Sequence, residues 1–127
     1  MYFLLCTVCC SVVDKYIKYI HLFVRTVHVV CVIVASLPPQ IGSLQRLETL
    51  LADRNHISSL PPTVDGLKSL RHISLAYNDL KSFPVQLCAI RTLDVIDLSH
   101  NRLTDVPDTI RDLNAIELNV NQNQVKF

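Results

Sequence analysis

Apolar positions in the C-terminal part of the chain recur with a period of 23 residues. Each period opens with an apolar residue that is followed directly by proline. These units cover residues 37–59, 60–82, 83–105 and 106–127, and their prolines are Pro38, Pro61, Pro84 and Pro107. Self-similarity at a fixed period indicates a repeat architecture, in which each unit buries its apolar side against its neighbours. The pattern therefore predicts a solenoid of about four repeats.

Each unit contains two kinds of short element. Apolar residues such as Ile73 and Leu75 alternate with others, as one side of a half-buried strand requires. After the proline, apolar residues fall at every third position, for example Val64, Leu67 and Leu70, which suits a short helical or 3₁₀ turn. Proline interrupts both helix and strand, so the chain turns there. We expect an α/β solenoid with a short parallel sheet on its concave face and helical turns on its convex side.

One asparagine per unit follows the predicted strand. The spacing is 23, 23 and 22 residues along Asn55, Asn78, Asn101 and Asn123. A tight turn leaves backbone groups without ladder partners, and a side-chain amide can both donate to and accept from such groups. We predict that these four asparagines are structural and link adjacent turns.

The pattern LPxxIGxLxxLxxLxLxxNxLxx, which the four units share, resembles the leucine-rich repeat. The resemblance is to the 23-residue class of intracellular signalling proteins, and it covers residues 37–127. It implies a solenoid that binds a protein partner and has neither catalytic residues nor a cofactor. The asparagine column corresponds to the asparagine ladder of that family.

Residues between the inward-facing strand positions form the predicted binding surface on the concave face. Tyr77 and Arg54 belong to the residue types that most often anchor protein interfaces. Taken singly, each position is also an ordinary solvated surface residue, but a repeat fold presents the set as one patch. The residues that we expect to contact a protein partner are Asp53, Arg54, His72, Tyr77, Asp97 and His100.

Composition and spacing disfavour other kinds of function. A net charge of +1 and the absence of tryptophan give no basis for nucleic-acid binding. The chain has only two glycines, which are too few for a glycine-rich phosphate-binding loop. Asp97, Ser99 and His100 are close in sequence, but no nucleophile elbow accompanies them. His56, His72 and His100 occupy three different columns, which is not a metal-ligand spacing. We predict no enzymatic activity, no metal or other cofactor, no nucleic-acid partner and no small-molecule substrate.

Residues 1–36 differ in composition from the repeats. They contain nine valines and four of the five cysteines, but no glycine, proline, asparagine, glutamine or glutamate. Residues 17–35 have the length of a membrane span, although Lys18 and Arg25 make insertion marginal. Residues 1–13 resemble part of a signal peptide but lack a basic start and a cleavage site. The segment is therefore either membrane-associated or a leader without a role of its own.

Three interpretations of function stay open. The first is a cytoplasmic, non-catalytic scaffold module in intracellular signal transduction, and it is favoured because no N-x-S/T sequon occurs. The second is a membrane-tethered, receptor-like protein anchored by residues 1–36. The third is a truncated product. The unit that begins at Leu37 already has the complete repeat pattern and no capping unit precedes it, as expected for a fragment joined to an unrelated N-terminus.

Overall fold

Parallel strands in chain order form the framework of the protein. The structure, a computed structural model, describes residues 2–5, 24–29 and 36–125. Their strands form one sheet with the order β1-β2-β3-β4-β5-β6. The bounds are Tyr2–Leu5 for β1, Thr26–Val29 for β2, Thr49–Leu51 for β3, His72–Ser74 for β4, Val95–Asp97 for β5 and Glu117–Asn119 for β6. Each turn of chain therefore lies against the preceding turn, which is the arrangement of a solenoid.

The register of the sheet reproduces the 23-residue period. Ile73 of β4 pairs with Leu50 of β3 and with Ile96 of β5, and Ile96 pairs with Leu118 of β6. The side chains of Leu50, Ile73 and Ile96 are fully buried, so equivalent apolar residues stack in one continuous core. The predicted solenoid with a parallel sheet is confirmed.

Each proline-headed stretch forms a 3₁₀ helix in a second layer. The helices are Pro39–Ser43, Pro62–Gly66, Val85–Ala89 and Asp108–Asp112, and each contacts its neighbours in the array. A proline with extended backbone lies at the N-cap of each: Pro38, Pro61, Pro84 and Pro107. The apolar spacing of three residues matches the three residues per turn of a 3₁₀ helix, so one side of each helix faces the core.

Adjacent 3₁₀ helices approach closely at Gly42. A Cβ atom there would collide with the backbone carbonyl of Thr63 in the next repeat. Glycine is needed at this position because the backbones approach each other, not because of an unusual dihedral angle.

The sheet begins before the compositional boundary at residue 36. Val27 of β2 pairs with Leu50, 23 residues later, and β1 pairs with β2 on its other side. Val24, Val27 and Val29 are buried and belong to the same core as the leucines of the repeats. Valine thus fills inward positions where the later units use leucine, isoleucine or, at Ala52, alanine.

Most of the segment predicted as membrane-associated or leader-like lies outside the described residues, namely positions 1, 6–23 and 30–35. In the parts of the chain that the structure does describe, no helix has the length and apolarity needed to cross a bilayer.

Candidate functional site

The predicted residues His72 and Asp97 lie on the strands themselves. His72 of β4 is half-buried and pairs with Thr49 of β3 and with Val95 of β5. Asp97 of β5 pairs with Ser74 of β4. Because the strands are in register, each position forms a column across the sheet, and these two residues belong to neighbouring columns of the same face.

The residue before each asparagine has a left-handed backbone conformation. The angle φ is 59° at Arg54, 58° at Tyr77, 55° at His100 and 58° at Gln122. Such a conformation is uncommon for residues other than glycine. The backbone N–H of Tyr77 donates to the carbonyl of Ser99 in the next repeat at 3.0 Å, which continues the sheet ladder into the turn. Bonds between repeats thus hold these turns in a conformation that the sequence alone does not indicate.

These turns bring three of the predicted binding residues into one stack. The Cζ atom of Arg54 lies 4.4 Å from the centroid of the Tyr77 ring. The rings of Tyr77 and His100 are 4.0 Å apart and only 7° from parallel. Neighbouring strands are about 4.8 Å apart, which is close to the distance at which planar groups stack. Three consecutive repeats therefore each contribute one planar side chain to the continuous surface that we call the planar stack: Arg54, Tyr77 and His100.

The two predicted aspartates are tied into the turns. Asp53 Oδ1 accepts a hydrogen bond from the backbone N–H of Ala76 at 3.0 Å and another from the Ser74 hydroxyl. Asp97 Oδ1 accepts one from the backbone N–H of Ser99 at 2.9 Å. These charge-assisted bonds fix both carboxylates. Among the described residues the Oδ2 atoms have no hydrogen-bond partner, so each carboxylate retains one oxygen for a partner molecule.

The asparagines one residue later are hydrogen-bonded between repeats. Asn78 Nδ2 donates to the carbonyls of Ala52 at 2.9 Å and Leu75 at 3.0 Å, and its Oδ1 accepts from the backbone N–H of Ile57 at 3.0 Å. Asn101 makes the same set of bonds one repeat further along. Each asparagine of the column donates to the carbonyl three residues before it: Asn55, Asn78, Asn101 and Asn123. The amide thus pairs turn carbonyls that no strand reaches.

Ion pairs between equivalent positions of neighbouring repeats were not foreseen from the sequence. They are Arg25–Glu48, Arg71–Asp94 and Arg102–Asp79, and His56 Nδ1 lies within hydrogen-bond distance of Asp79 Oδ2 at 3.1 Å. The arginine side chains of these pairs are more than 60% exposed, so each pair contributes little to stability. A 23-residue spacing between residues of opposite charge was the signal available in the sequence.

The residues that could suggest catalysis are not arranged as a triad. Ser99 is buried, and its backbone N–H, rather than its hydroxyl, donates to Asp97. The ring of His100 lies flat against Tyr77. Within the described residues no three His, Cys, Asp or Glu side chains are grouped so that they could hold a metal ion.

Comparison with known families agrees with this geometry. Residues 45–103 match the model of the leucine rich repeat family. This part of the chain consists of leucine-rich repeats. Leucine-rich repeat proteins typically mediate protein–protein interactions. The chain has no significant match among curated proteins.

Solved leucine-rich repeat structures share the fold over most of the chain. The ectodomain of the plant membrane receptor kinase GASSHO1/SCHENGEN3 from Arabidopsis thaliana, in complex with CASPARIAN STRIP INTEGRITY FACTOR 2, is 31% identical, with a TM-score of 0.67 over 78% of this chain and 13% of that one. A leucine-rich repeat protein of Leptospira interrogans is 26% identical, with a TM-score of 0.63 and coverages of 81% and 32%. An internalin of Listeria monocytogenes, 20% identical with a TM-score of 0.67 and coverages of 82% and 30%, shares the fold. The chain spans less than a third of each of these proteins.

Proposed function

We propose that the protein is a non-catalytic binding module that holds a segment of a protein partner against its concave face. The observation that carries this proposal is the planar stack, in which Tyr77 remains 43% exposed although it is fixed on both sides. Arginine and tyrosine are enriched among interface residues that dominate binding energy, and a side chain that is already ordered loses little entropy on binding.

The partner would cross several repeats. Each strand contributes only three or four residues, so a bound segment must run across the strands to make enough contact. Such a path passes over the strand face at His72 and Asp97 and over the turns at the planar stack. The proposed contact residues are Asp53, Arg54, His72, Tyr77, Asp97 and His100.

We further propose that the module acts as a scaffold in cytoplasmic signal transduction. Residues 87–124, and above all the sequence IELNVNQNQ at 116–124, resemble leucine-rich repeat-containing protein 57. That resemblance implies an intracellular interaction module without catalytic residues.

The rival proposal is a receptor-like protein tethered to a membrane through residues 1–36. It is supported by the similarity to the ectodomain of a plant membrane receptor kinase. Against it, Val27 and Val29, which lie within the apolar stretch 17–35, are buried in the protein core. Fractionation of the full chain expressed in cells separates the two proposals. Recovery in the soluble fraction is expected for the scaffold, and retention in carbonate-washed membranes would favour the tether.

Photo-crosslinking tests where the partner binds. A photoreactive amino acid replaces either His72, on the strand face, or Lys68, an exposed residue that follows the second 3₁₀ helix. We expect covalent protein adducts from the His72 position and few from the Lys68 position when both variants are expressed at the same level. Equal yields from the two positions would contradict binding on the concave face.

A further inference from the structure

Arg54 is held rigidly by its neighbours in the planar stack. One face of its guanidinium lies over the Tyr77 ring, and Tyr77 is in turn stacked on His100. Its backbone is also fixed, because the Arg54 N–H donates to the carbonyl of Ala76 in the next repeat at 2.9 Å. An arginine on a protein surface normally loses considerable rotamer entropy when it binds, and here much of that loss has already occurred.

The charge of Arg54 is not neutralised within the described part of the chain. Three other arginines pair with carboxylates in that part: Arg25, Arg71 and Arg102. The carboxylate next in sequence, Asp53, instead uses its Oδ1 to bind Ala76 and Ser74. No described residue accepts a hydrogen bond from the Arg54 guanidinium, so its N–H edge is available while its face is covered by Tyr77.

We propose that Arg54 binds a carboxylate of an acidic segment in the protein partner, and that Tyr77 and His100 are positioning residues for it. This proposal rests on the proposed function. A guanidinium presents two parallel N–H groups that match the two oxygens of a carboxylate, and such bidentate pairs are stronger and more directional than a lysine contact. Because the Tyr77 ring covers one face of the Arg54 guanidinium, the partner carboxylate binds at its open N–H edge.

The surrounding charge favours a carboxylate over a phosphate or a polyanion. Asp53 directly precedes Arg54, Asp97 binds the backbone N–H of Ser99 beside His100 of the stack, and the whole chain has a net charge of only +1. One guanidinium balances the single negative charge of a carboxylate. A phosphate dianion would keep an excess negative charge near the two aspartates, with no second cation to offset that charge.

A peptide titration of the full chain followed by NMR tests the proposal. The probe is a blocked decapeptide of serines with a single central glutamate, and its control is the same peptide with glutamine in place of glutamate. The readout is the Nε–Hε resonance of Arg54 at about 0.15 M salt, where long-range attraction is screened. We expect a saturable shift with the glutamate peptide and affinity weaker by about tenfold or more for the glutamine peptide.

Matched variants separate a site from general charge attraction. Arg54→Gln should reduce the affinity for the glutamate peptide by about tenfold. Arg91→Gln should leave it unchanged, since Arg91 is also exposed and without a carboxylate partner among the described residues but lies outside the stack. Tyr77→Ala should weaken binding, whereas Tyr77→Phe, which keeps the ring, should not.

Three results would overturn the proposal: no shift of the Arg54 resonance with the glutamate peptide, equal losses from Arg54→Gln and Arg91→Gln, or tighter binding of inorganic phosphate than of the peptide. Crosslinking from the His72 position distinguishes failure of the Arg54–carboxylate proposal from failure of the proposed function. If protein adducts still form there, the concave face remains the binding surface and only the acidic anchor is wrong.

Discussion

Two columns that are one residue apart in the same turns have opposite environments. Asn78 is 6% exposed, whereas Tyr77 directly before it is 43% exposed. The Asn78 amide binds carbonyls of its own and the preceding repeat, while the Tyr77 ring stacks on the side chains of Arg54 and His100. Both columns recur every repeat, so periodicity by itself does not separate structural residues from residues available for binding.

The left-handed residue explains how the two columns come to face different ways. Ile73 and Leu75 are buried, and strict alternation would also turn Tyr77 inward. The positive φ of Tyr77 ends the alternation, so that its ring points outward and Asn78 points inward. One conformational feature thus produces a buried hydrogen-bonding column and an exposed stack in the same turn.

The largest predicted effect is on the buried column. Asn78→Ala removes donors to two repeats and leaves the N–H of Ile57 without an acceptor. We expect a loss of about 2–4 kcal/mol in the free energy of unfolding, because buried backbone groups lose their partners. Urea unfolding followed by circular dichroism measures it. Asn114→Ala, at an exposed position, is the control and should change stability by less than about 0.5 kcal/mol. Equal effects of the two substitutions would contradict a structural role for Asn78.

The next effect tests the conformation that separates the columns. Gln122 has a φ of 58° but no stacking partner among the described residues. Gln122→Val should destabilise the protein by about 1–2 kcal/mol, because a β-branched residue tolerates a left-handed conformation poorly. Gln124→Val is the matched control, since it makes the same exchange at a position without positive φ. Thermal unfolding of both variants compares them, and a smaller loss for Gln122→Val would argue against the left-handed turn.

A smaller effect is expected when the exposed stack is broken. Tyr77→Ala removes both stacking contacts, which together stabilise the folded state by about 1 kcal/mol at such an exposed site. The same variant should lose much of its binding to the glutamate peptide. Urea unfolding and the peptide titration are therefore compared on one protein sample. A stability loss as large as that of Asn78→Ala would mean that the stack is mainly structural.

The smallest effect concerns the ion pairs between repeats. The Arg71 and Asp94 side chains are 67% and 31% exposed, although their charged atoms are only 2.7 Å apart. A double-mutant cycle with Arg71→Ala and Asp94→Ala should give a coupling free energy of about 0.3–0.5 kcal/mol that decreases with added salt. A coupling well above about 1 kcal/mol would show that exposed columns also hold the repeats together.

The solenoid could be predicted because its strongest constraints are visible in the sequence. Proline, the inward leucines and asparagine recur at fixed spacing, and each has a local physical reason to do so. The strand β2 was not predicted, because the preceding period has Lys15 and Val32 where the later units have proline and asparagine. Only the inward valines keep the period there, and a valine-rich apolar stretch does not distinguish a strand from a membrane segment.

The candidate site was predicted only in part. The sequence places Arg54, Tyr77 and His100 in one column, but stacking depends on the distance between repeats and on a positive φ. No glycine marks these turns, so the conformation has no composition signal. The bonds of Asp53 to Ser74 and Ala76 likewise depend on how neighbouring turns approach each other.

Alanine scanning of the two columns by protease resistance in the full chain tests the central claim most directly. The scan covers Arg54, Asn55, Tyr77, Asn78, His100 and Asn101. We expect each asparagine substitution to lower the free energy of unfolding by more than about 1.5 kcal/mol and each substitution in the planar stack to lower it by about 1 kcal/mol at most. Losses of similar size in both columns would contradict the division between a buried column that maintains the solenoid and an exposed stack that is free to bind a partner.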